Sequence, residues 1–165
     1  MTGISACPKH FACNNQEFKR NRNDSRVSER ALREIYLKGF EICVKEATPV
    51  NLMTSYNKIN GVWGHYHYEL VQGILRGEWK YEGNVMTDWW MRSSKSPEFP
   101  ELKDNAYRVR AGVDVLMPGG KLITFFSHKP DGTLLATYGK KDGITLGELQ
   151  RTAKNVLRCV MELKM

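Results

Sequence analysis

Long apolar runs are missing from this sequence of 165 residues. No stretch approaches the roughly 18 consecutive apolar residues that a membrane-spanning helix needs, so we expect no membrane segment. The N-terminus also lacks the basic-then-apolar pattern of a secretion signal, which favours a soluble, cytoplasmic protein over a secreted one. The hydrophobic content of 41% is nevertheless enough for a globular domain with its own core.

Cysteines in the paired spacings of zinc or redox sites are missing too. Only Cys7, Cys13, Cys43 and Cys159 are present, and their spacing predicts reduced, structural thiols. The alternating segment 65–69, HYHYE, contains possible metal ligands, but no third partner follows at a recognised spacing. A loop leading into a helix is the favoured interpretation of this segment. We therefore predict no metal and no cofactor.

Acidic residues are fewer than basic ones, 18 against 25, which gives a formal net charge of +7. A basic balance makes nucleic acid a candidate partner. The densest basic run, FKRNRNDSR at residues 18–26, is interrupted by turn-forming Asn and Asp, and the other basic residues are spread along the chain. We interpret these charges as solvated surface and predict neither a nucleic-acid nor a membrane partner.

Apolar residues recur with helical spacing in four segments. The first helix is predicted over residues 28–47, with Ser25 or Ser28 as its N-cap. The last begins with a capping box formed by Thr145 and Glu148. The four stripes are Leu32, Ile35, Tyr36, Phe40, Cys43 and Ala47; Leu70, Val71, Ile74 and Leu75; Leu102, Ala106 and Val109, ending at Gly112; and Leu149, Ala153, Val156, Leu157 and Val160.

Short extended segments precede the four helices and predict strands over residues 4–7, 52–55, 85–87 and 113–117. We expect no β-hairpin, because no Asn-Gly turn is recognised between two alternating apolar runs. Repeated strand and helix alternation predicts parallel strands joined by right-handed crossovers. The expected domain is a single α/β unit over residues 1–165. Its four strand–helix units, 3–47, 51–79, 84–111 and 113–163, form either half of a (β/α)8 barrel or a small open sheet.

Polar residues that follow the predicted strands favour the half-barrel. In (β/α)8 enzymes the site is built at the carboxyl ends of several strands, whereas an open sheet typically carries a GxGxxG turn after its first strand, which is absent here. The polar and turn residues at the strand ends are Lys9 and His10; Tyr56 and Asn57; Asp88; and Pro118, Gly119 and Gly120.

Asp88 stands at the end of a short apolar run and before two tryptophans, in the stretch GNVMTDWW. An aspartate is a poor strand former and costly to bury. From this pattern alone, Asp88 is either a functional carboxylate or a residue that caps the turn after the strand.

Five segments in the right order resemble the catalytic barrel of family 3 glycoside hydrolases, the β-glucosidases and their relatives. The similarity runs from about Ala6 to Gly120, and the terminal helix TLGELQRTAKNVLRCVM also resembles the end of that barrel. The segments are CPKHFACNNQEFKR, SERALREIYLKGFEICVKEA, LMTSYNKINGV, ILRGEWKYEGNVMTDWW and AGVDVLMPGG.

The resemblance implies a role for each matching residue. Asp88 would be the catalytic nucleophile, held during the reaction as a glycosyl-enzyme ester. Lys9 and His10 would hydrogen-bond the sugar hydroxyls. Tyr56 would orient the nucleophile or contact the ring near C2. Trp89 would line the leaving-group side, where an indole face stacks on a sugar.

Other features of the family are only partly matched. Glu17 and Arg20 fall at family positions, and we interpret them as a supporting ion pair. An arginine and an aspartate that grip the sugar from earlier strands in the family have no counterpart here. The acid/base glutamate, which many members carry on a separate α/β sandwich domain, is not found either. The resemblance thus implies the second half of a catalytic barrel.

Two functions are compatible with these residues. The first is the nucleophile-bearing part of a retaining β-glycosidase; its substrates would be β-glucosides or β-xylosides, because KHFACNNQE replaces the KHFPGHG-like segment of members acting on N-acetylglucosaminides. The second is an inactive or sugar-binding-only fragment lacking the acid/base domain. The expected partners are a second copy of the chain, or the missing barrel half with a sandwich domain, since a half-barrel leaves its outer strands uncovered.

Overall fold

A computed structural model describes residues 4–118 and 132–163. Its strands are β1 (Asp24–Ser25), β2 (Asn51–Met53), β3 (Lys58–Ile59), β4 (Val62–Trp63), β5 (Asn84–Trp89) and β6 (Val115–Met117). Its helices are α1 (29–47, in consecutive segments of mostly α and π geometry), α2 (Glu69–Glu78), α3 (Asp104–Ala111), α4 (Thr133–Thr137) and α5 (Leu146–Glu162). Within those described ranges, no helix is both long and apolar enough to cross a bilayer.

The central sheet is parallel, with β5 between β2 and β6. A fourth extended segment, residues 8–11, runs beside β2: the Phe11 amide donates to the Met53 carbonyl at 2.9 Å, and the Ser55 amide donates to the Phe11 carbonyl at 3.0 Å. The predicted alternation of parallel strands and helices is confirmed for these segments. The first strand was predicted too early, at 4–7, because the fully buried ring of Phe11 fixes the register while Ile4 remains 84% exposed.

A β-hairpin formed by β3 and β4 contradicts the prediction that the chain has none. Its turn is Asn60-Gly61, and both residues have positive φ, +50° and +94°, as a type I′ turn requires. The two strands have two residues each and are too short to show the alternating apolar pattern by which a hairpin is predicted from sequence. With β1 parallel to β3, the hairpin makes a second, three-stranded sheet.

Helix α1 buries a different stripe from the predicted one. Its N-cap is Ser28, whose hydroxyl accepts from the Ala31 amide at 3.2 Å. Leu32 is buried as predicted, but further along Leu37 and Val44 are buried whereas Cys43 is exposed. The Leu37 amide donates five residues back, to Leu32. Such a π turn adds one residue, so the buried face moves forward along the sequence.

The other three predicted helices begin and end near the predicted places, whereas α4 was not predicted. All four stripe residues of α2 are buried, and α3 ends at Gly112, which has φ +100°. The capping box of Thr145 and Glu148 is present at the start of α5. The predicted apolar face of α5 is largely uncovered, however, with Leu157 62% and Val160 64% exposed in the described part of the chain.

A buried ion pair joins the amino ends of β5 and β6 to α2. The Arg76 guanidinium donates to the Asp114 carboxylate at 2.6 Å and to the carbonyls of Tyr81, Gly83 and Gly112. Burial raises the pKa of Asp114, and Arg76 opposes that shift. This network lies at the opposite end of the strands from Asp88, the end associated with stability in parallel α/β barrels.

Candidate active site

Three neighbouring segments bring polar side chains to one edge of the central sheet. Asp88 is the fifth residue of β5 and is only 7% exposed. His10 comes from the extended segment 8–11, and Tyr56 lies three residues after β2. Because β2 and β5 are parallel and in register, with Met53 opposite Met86, their carboxyl ends meet at this edge. Among the predicted strand-end residues, Gly119 and Gly120 lie outside the described ranges.

His10 contacts the Asp88 carboxylate directly, with 3.1 Å between His10 Nε2 and Asp88 Oδ2. On the other side of the imidazole, the Asn14 amide nitrogen lies 3.4 Å from His10 Nδ1. Burial lowers the pKa of His10, the Asp88 carboxylate opposes that shift, and the positive charges of Lys9 and Arg20 add to it. A neutral imidazole that accepts from Asn14 at Nδ1 carries its proton on Nε2, facing Asp88.

The backbone after Asp88 is held on both sides. The Trp89 amide donates to Asp88 Oδ1 at 2.7 Å, and the Tyr56 hydroxyl donates to the Trp89 carbonyl at 2.6 Å. Burial and then the nearby Asp88 carboxylate raise the pKa of Tyr56. Tyr56 therefore keeps its proton at neutral pH and serves as a hydrogen-bond donor.

The other predicted site residues lie around the contact between His10 and Asp88. Arg20 forms an ion pair with Glu17, with 2.9 Å between Nη1 and Oε2, and its guanidinium lies 4.4 Å from the centre of the Tyr56 ring. Lys9 is exposed and, within the described residues, makes no ion pair with Asp88. Its charge nevertheless reaches the site, because it contributes to the pKa of His10.

Trp89 and Trp90 form an exposed pair of indoles beside Asp88. They are 40% and 51% exposed, and their ring centres are 5.4 Å apart with planes tilted by 58°. Contiguous exposed apolar patches, unlike single exposed residues, commonly mark binding surfaces. Such rings beside a buried carboxylate form a surface suited to stacking on a sugar.

Sequence reasoning missed Asn14, but the segment 65–69 leads into α2 as predicted, after a short 3-10 turn at Gly64–Tyr66. Asn14 lies in an irregular loop, where spacing cannot say which atom a side chain will reach. The described residues include no group of three or more His, Cys, Asp or Glu placed to hold a metal ion. His65 is instead fully buried, and burial, with the charge of Arg108, lowers its pKa to about 3.

The sequence model of the glycosyl hydrolase family 3 N terminal domain matches residues 1–130 of the chain. The chain belongs to glycosyl hydrolase family 3. A β-glucosidase of Ruminococcus albus is 41% identical over 160 residues, 96% of this chain. An exo-α-(1→6)-L-arabinopyranosidase of Bifidobacterium breve is 39% identical over 159 residues, also 96% of this chain. The crystal structure of a β-glucosidase from Kluyveromyces marxianus superposes with a TM-score of 0.78 at 35% identity over 98% of this chain.

These family 3 relatives are much longer than the chain. It spans 16% of the Ruminococcus albus protein, 18% of the Bifidobacterium breve protein and 18% of the Kluyveromyces marxianus chain. The similarity therefore concerns one part of each relative, and that part includes the strand ends around Asp88.

Proposed function

We propose that this chain is the nucleophile-bearing part of a retaining β-glycosidase that acts on β-glucosides or β-xylosides, with Asp88 as the nucleophile. The observation that carries the proposal is the contact of 3.1 Å between His10 Nε2 and Asp88 Oδ2 at the carboxyl end of a parallel strand. Membership of a glycoside hydrolase family and the similarity to β-glucosidases support the reaction class.

The proposed reaction has two steps. A carboxylate oxygen of Asp88 attacks the anomeric carbon, an ester bond forms, and the bond to the leaving-group oxygen breaks. The leaving group takes a proton from an acid that the described residues around Asp88 do not supply. Water then attacks the anomeric carbon of the ester, gives up a proton to the same group acting as a base, and frees Asp88.

The surrounding residues would orient both reactants. The amide of Trp89 and the imidazole of His10 each hold one oxygen of the Asp88 carboxylate, which fixes its direction of attack. Lys9 and His10 would contact the sugar hydroxyls, and Trp89 would stack on the leaving-group side. Glu17 and Arg20 would hold Tyr56 in place through the guanidinium that covers its ring.

We further propose that the four strand–helix units form half of a (β/α)8 barrel. The parallel order of segment 8–11, β2, β5 and β6 supports this arrangement. Completion would come from a second copy of the chain, or from the other half of the barrel together with an α/β sandwich domain. The acid/base glutamate would then lie on that further domain.

The test of the proposal is covalent trapping. A glucoside or xyloside with fluorine at C2 and a leaving group that needs no acid assistance should leave one sugar on the chain, measured as an intact mass increase and mapped to Asp88. Asp88→Asn should abolish the label. Asp142→Asn is the matched control, because Asp142 is exposed in a turn at φ +57°, which Asn tolerates, and it should label like the parent.

Each outcome is informative. A label that persists in Asp88→Asn contradicts the assignment of the nucleophile. A parent chain that takes no label from either sugar supports the alternative, an inactive or sugar-binding-only fragment. Preference for the glucosyl or the xylosyl reagent separates the two proposed substrate classes.

A further inference from the structure

Three buried side chains converge on a single backbone oxygen, the carbonyl of Arg92. His65 Nε2 lies 3.1 Å from it, the Tyr66 hydroxyl 3.4 Å and Arg108 Nη2 2.9 Å. His65, Tyr66 and Arg108 are 0%, 1% and 5% exposed. We name these three side chains the Arg92 anchor.

The anchor is costly to bury, which calls for a structural reason. A guanidinium loses favourable hydration when it leaves water, and a buried hydroxyl or imidazole needs partners. Arg108 is compensated by the Arg92 carbonyl and by its position 4.9 Å from the centre of the Tyr66 ring. The Tyr66 hydroxyl also accepts from the Ser94 amide at 3.1 Å, so it binds the loop on both sides of residue 93.

The anchored carbonyl lies just after the two exposed indoles of the site. The Trp89 carbonyl accepts from Tyr56, and the Trp90 amide donates to the Met117 carbonyl at 3.2 Å. The segment 89–92 is therefore fixed at its start by Tyr56 and β6, and at its end by the anchor. With both ends fixed, the backbone between them has little freedom, which limits the directions in which the Trp89 and Trp90 side chains leave the chain.

The side chain of Arg92 ties the same loop to another part of the site. Its Nε donates to the Asn21 carbonyl at 2.8 Å, in the loop that also carries Arg20, and its guanidinium lies 5.9 Å from the centre of the Trp63 ring. Trp63 belongs to β4 and lies two residues before the anchor residue His65. The β3–β4 hairpin thus supports the loop that follows the nucleophile.

We propose that His65, Tyr66 and Arg108 are positioning residues that fix the orientation of Trp89 and Trp90, and thereby determine how well the site accepts bulky ring-shaped leaving groups. The proposal rests on the proposed function, in which Asp88 is the nucleophile and Trp89 lines the leaving-group side. None of the three anchor residues contacts Asp88, so the anchor acts on selectivity for the leaving group and not on attack at the sugar.

The first test compares two trapping reagents that share one sugar, a 2-fluoroglucosyl fluoride and a dinitrophenyl 2-fluoroglucoside. Only the second has a ring for Trp89 to contact. Tyr66→Phe keeps the ring and removes the hydroxyl. It should lower the labelling rate with the dinitrophenyl reagent about fivefold, the factor that one neutral hydrogen bond is worth, and leave the fluoride rate unchanged. Tyr36→Phe, the same change on a half-buried ring of α1, should alter neither rate.

A second pair of variants tests rescue. His65→Leu removes the donor to the Arg92 carbonyl and should lower the dinitrophenyl rate, while His65→Gln keeps a side-chain N–H and should restore most of it. Tyr66→Phe remains the main variant, because it changes the fewest packing contacts. An unchanged ratio of the two labelling rates in Tyr66→Phe overturns the proposal.

A spectroscopic measurement separates the failure of this proposal from the failure of the proposed function. Indoles 5.4 Å apart and tilted by 58° give an exciton couplet in far-ultraviolet circular dichroism, which Trp89→Phe assigns by removing it. The couplet should weaken in Tyr66→Phe and persist in Tyr36→Phe. If neither reagent labels the parent, the proposed function fails, but the couplet still tests the positioning role. A weaker couplet in Tyr66→Phe supports that role, and an unchanged couplet overturns it.

Discussion

The imidazoles of His10 and His65 have different surroundings, but burial lowers the pKa of both. At His10 the Asp88 carboxylate limits that shift, and Asn14 directs the remaining proton toward the carboxylate. At His65 the neighbouring charge is the cation of Arg108, which acts in the same direction as burial. His10 is thus a donor to the proposed nucleophile, whereas His65 is a buried donor to a carbonyl.

The depressed pKa of His65 predicts a loss of stability in acid. Its folded-state pKa is about 3, and an unfolded histidine titrates near 6.5. Between these values the unfolded chain binds a proton that the folded chain does not, so the free energy of unfolding falls as pH falls, by about 1.4 kcal/mol per pH unit from this group. The contribution is complete above about pH 6.5.

Urea unfolding of the parent and of His65→Gln at several pH values isolates this contribution. The variant has no imidazole at this position, so the unfolding free energy of the parent minus that of the variant should fall steadily from pH 6 to pH 4. Other groups titrate equally in both proteins and cancel in that difference. Parallel curves over the whole range would show that His65 is not held neutral.

Among the structural elements, the β3–β4 hairpin is a short piece of backbone that supports the loop after Asp88, the proposed nucleophile. Its Gly61 has φ +94°, and a Cβ there would meet no atom within 4 Å, so conformational strain alone decides the effect of a substitution. Gly61→Ala should lower the free energy of unfolding by about 1 kcal/mol, the cost of a left-handed conformation in a residue with a side chain.

Gly73→Ala is the matched control for the hairpin. Gly73 lies inside α2, and a Cβ there also meets no atom within 4 Å. In a helix the same change removes the entropy cost of glycine and should raise the free energy of unfolding by up to about 1 kcal/mol. In urea unfolding, the midpoints of the two variants should therefore move in opposite directions, with unchanged slopes of free energy against urea concentration. A shift of both midpoints in one direction would contradict the left-handed strain proposed for Gly61.

At the scale of the whole molecule, apolar surface is left uncovered. Leu157, Val160 and Met161 on α5 are 62%, 64% and 62% exposed, and segment 8–11 and β6 are the outer members of the described central sheet. Burial of apolar surface is worth about 25 cal/mol per Å², so a single chain has a strong drive to cover these surfaces.

We expect the isolated chain to pair with a second copy. Light scattering should give twice the 19.0 kDa mass of one chain. Dilution should lower both the measured mass and the melting temperature, because the stability of a dimer depends on protein concentration. A mass of one chain, combined with cooperative unfolding above about 60 °C, would show that the fold covers its own edges.

Local features of the fold could be predicted from the sequence because their causes are local. Ser28 caps α1, and Thr145 with Glu148 caps α5, through contacts within one turn. The register of the first strand and the buried stripe of α1 could not be predicted. They depend on Phe11 packing against other segments and on a π turn at Leu37, neither of which the residue pattern specifies.

The sequence by itself determined the alternation of strands and helices, the family, and the placement of Asp88 at a strand end next to two tryptophans. Only the tertiary structure decided which side chains reach Asp88, and that the HYHYE segment supports the loop after it. Caps, turns and apolar periodicity arise between residues a few positions apart. The contacts of His10 with Asp88, and of His65 and Arg108 with Arg92, join residues 78, 27 and 16 positions apart, and their geometry exists only once the strands have paired.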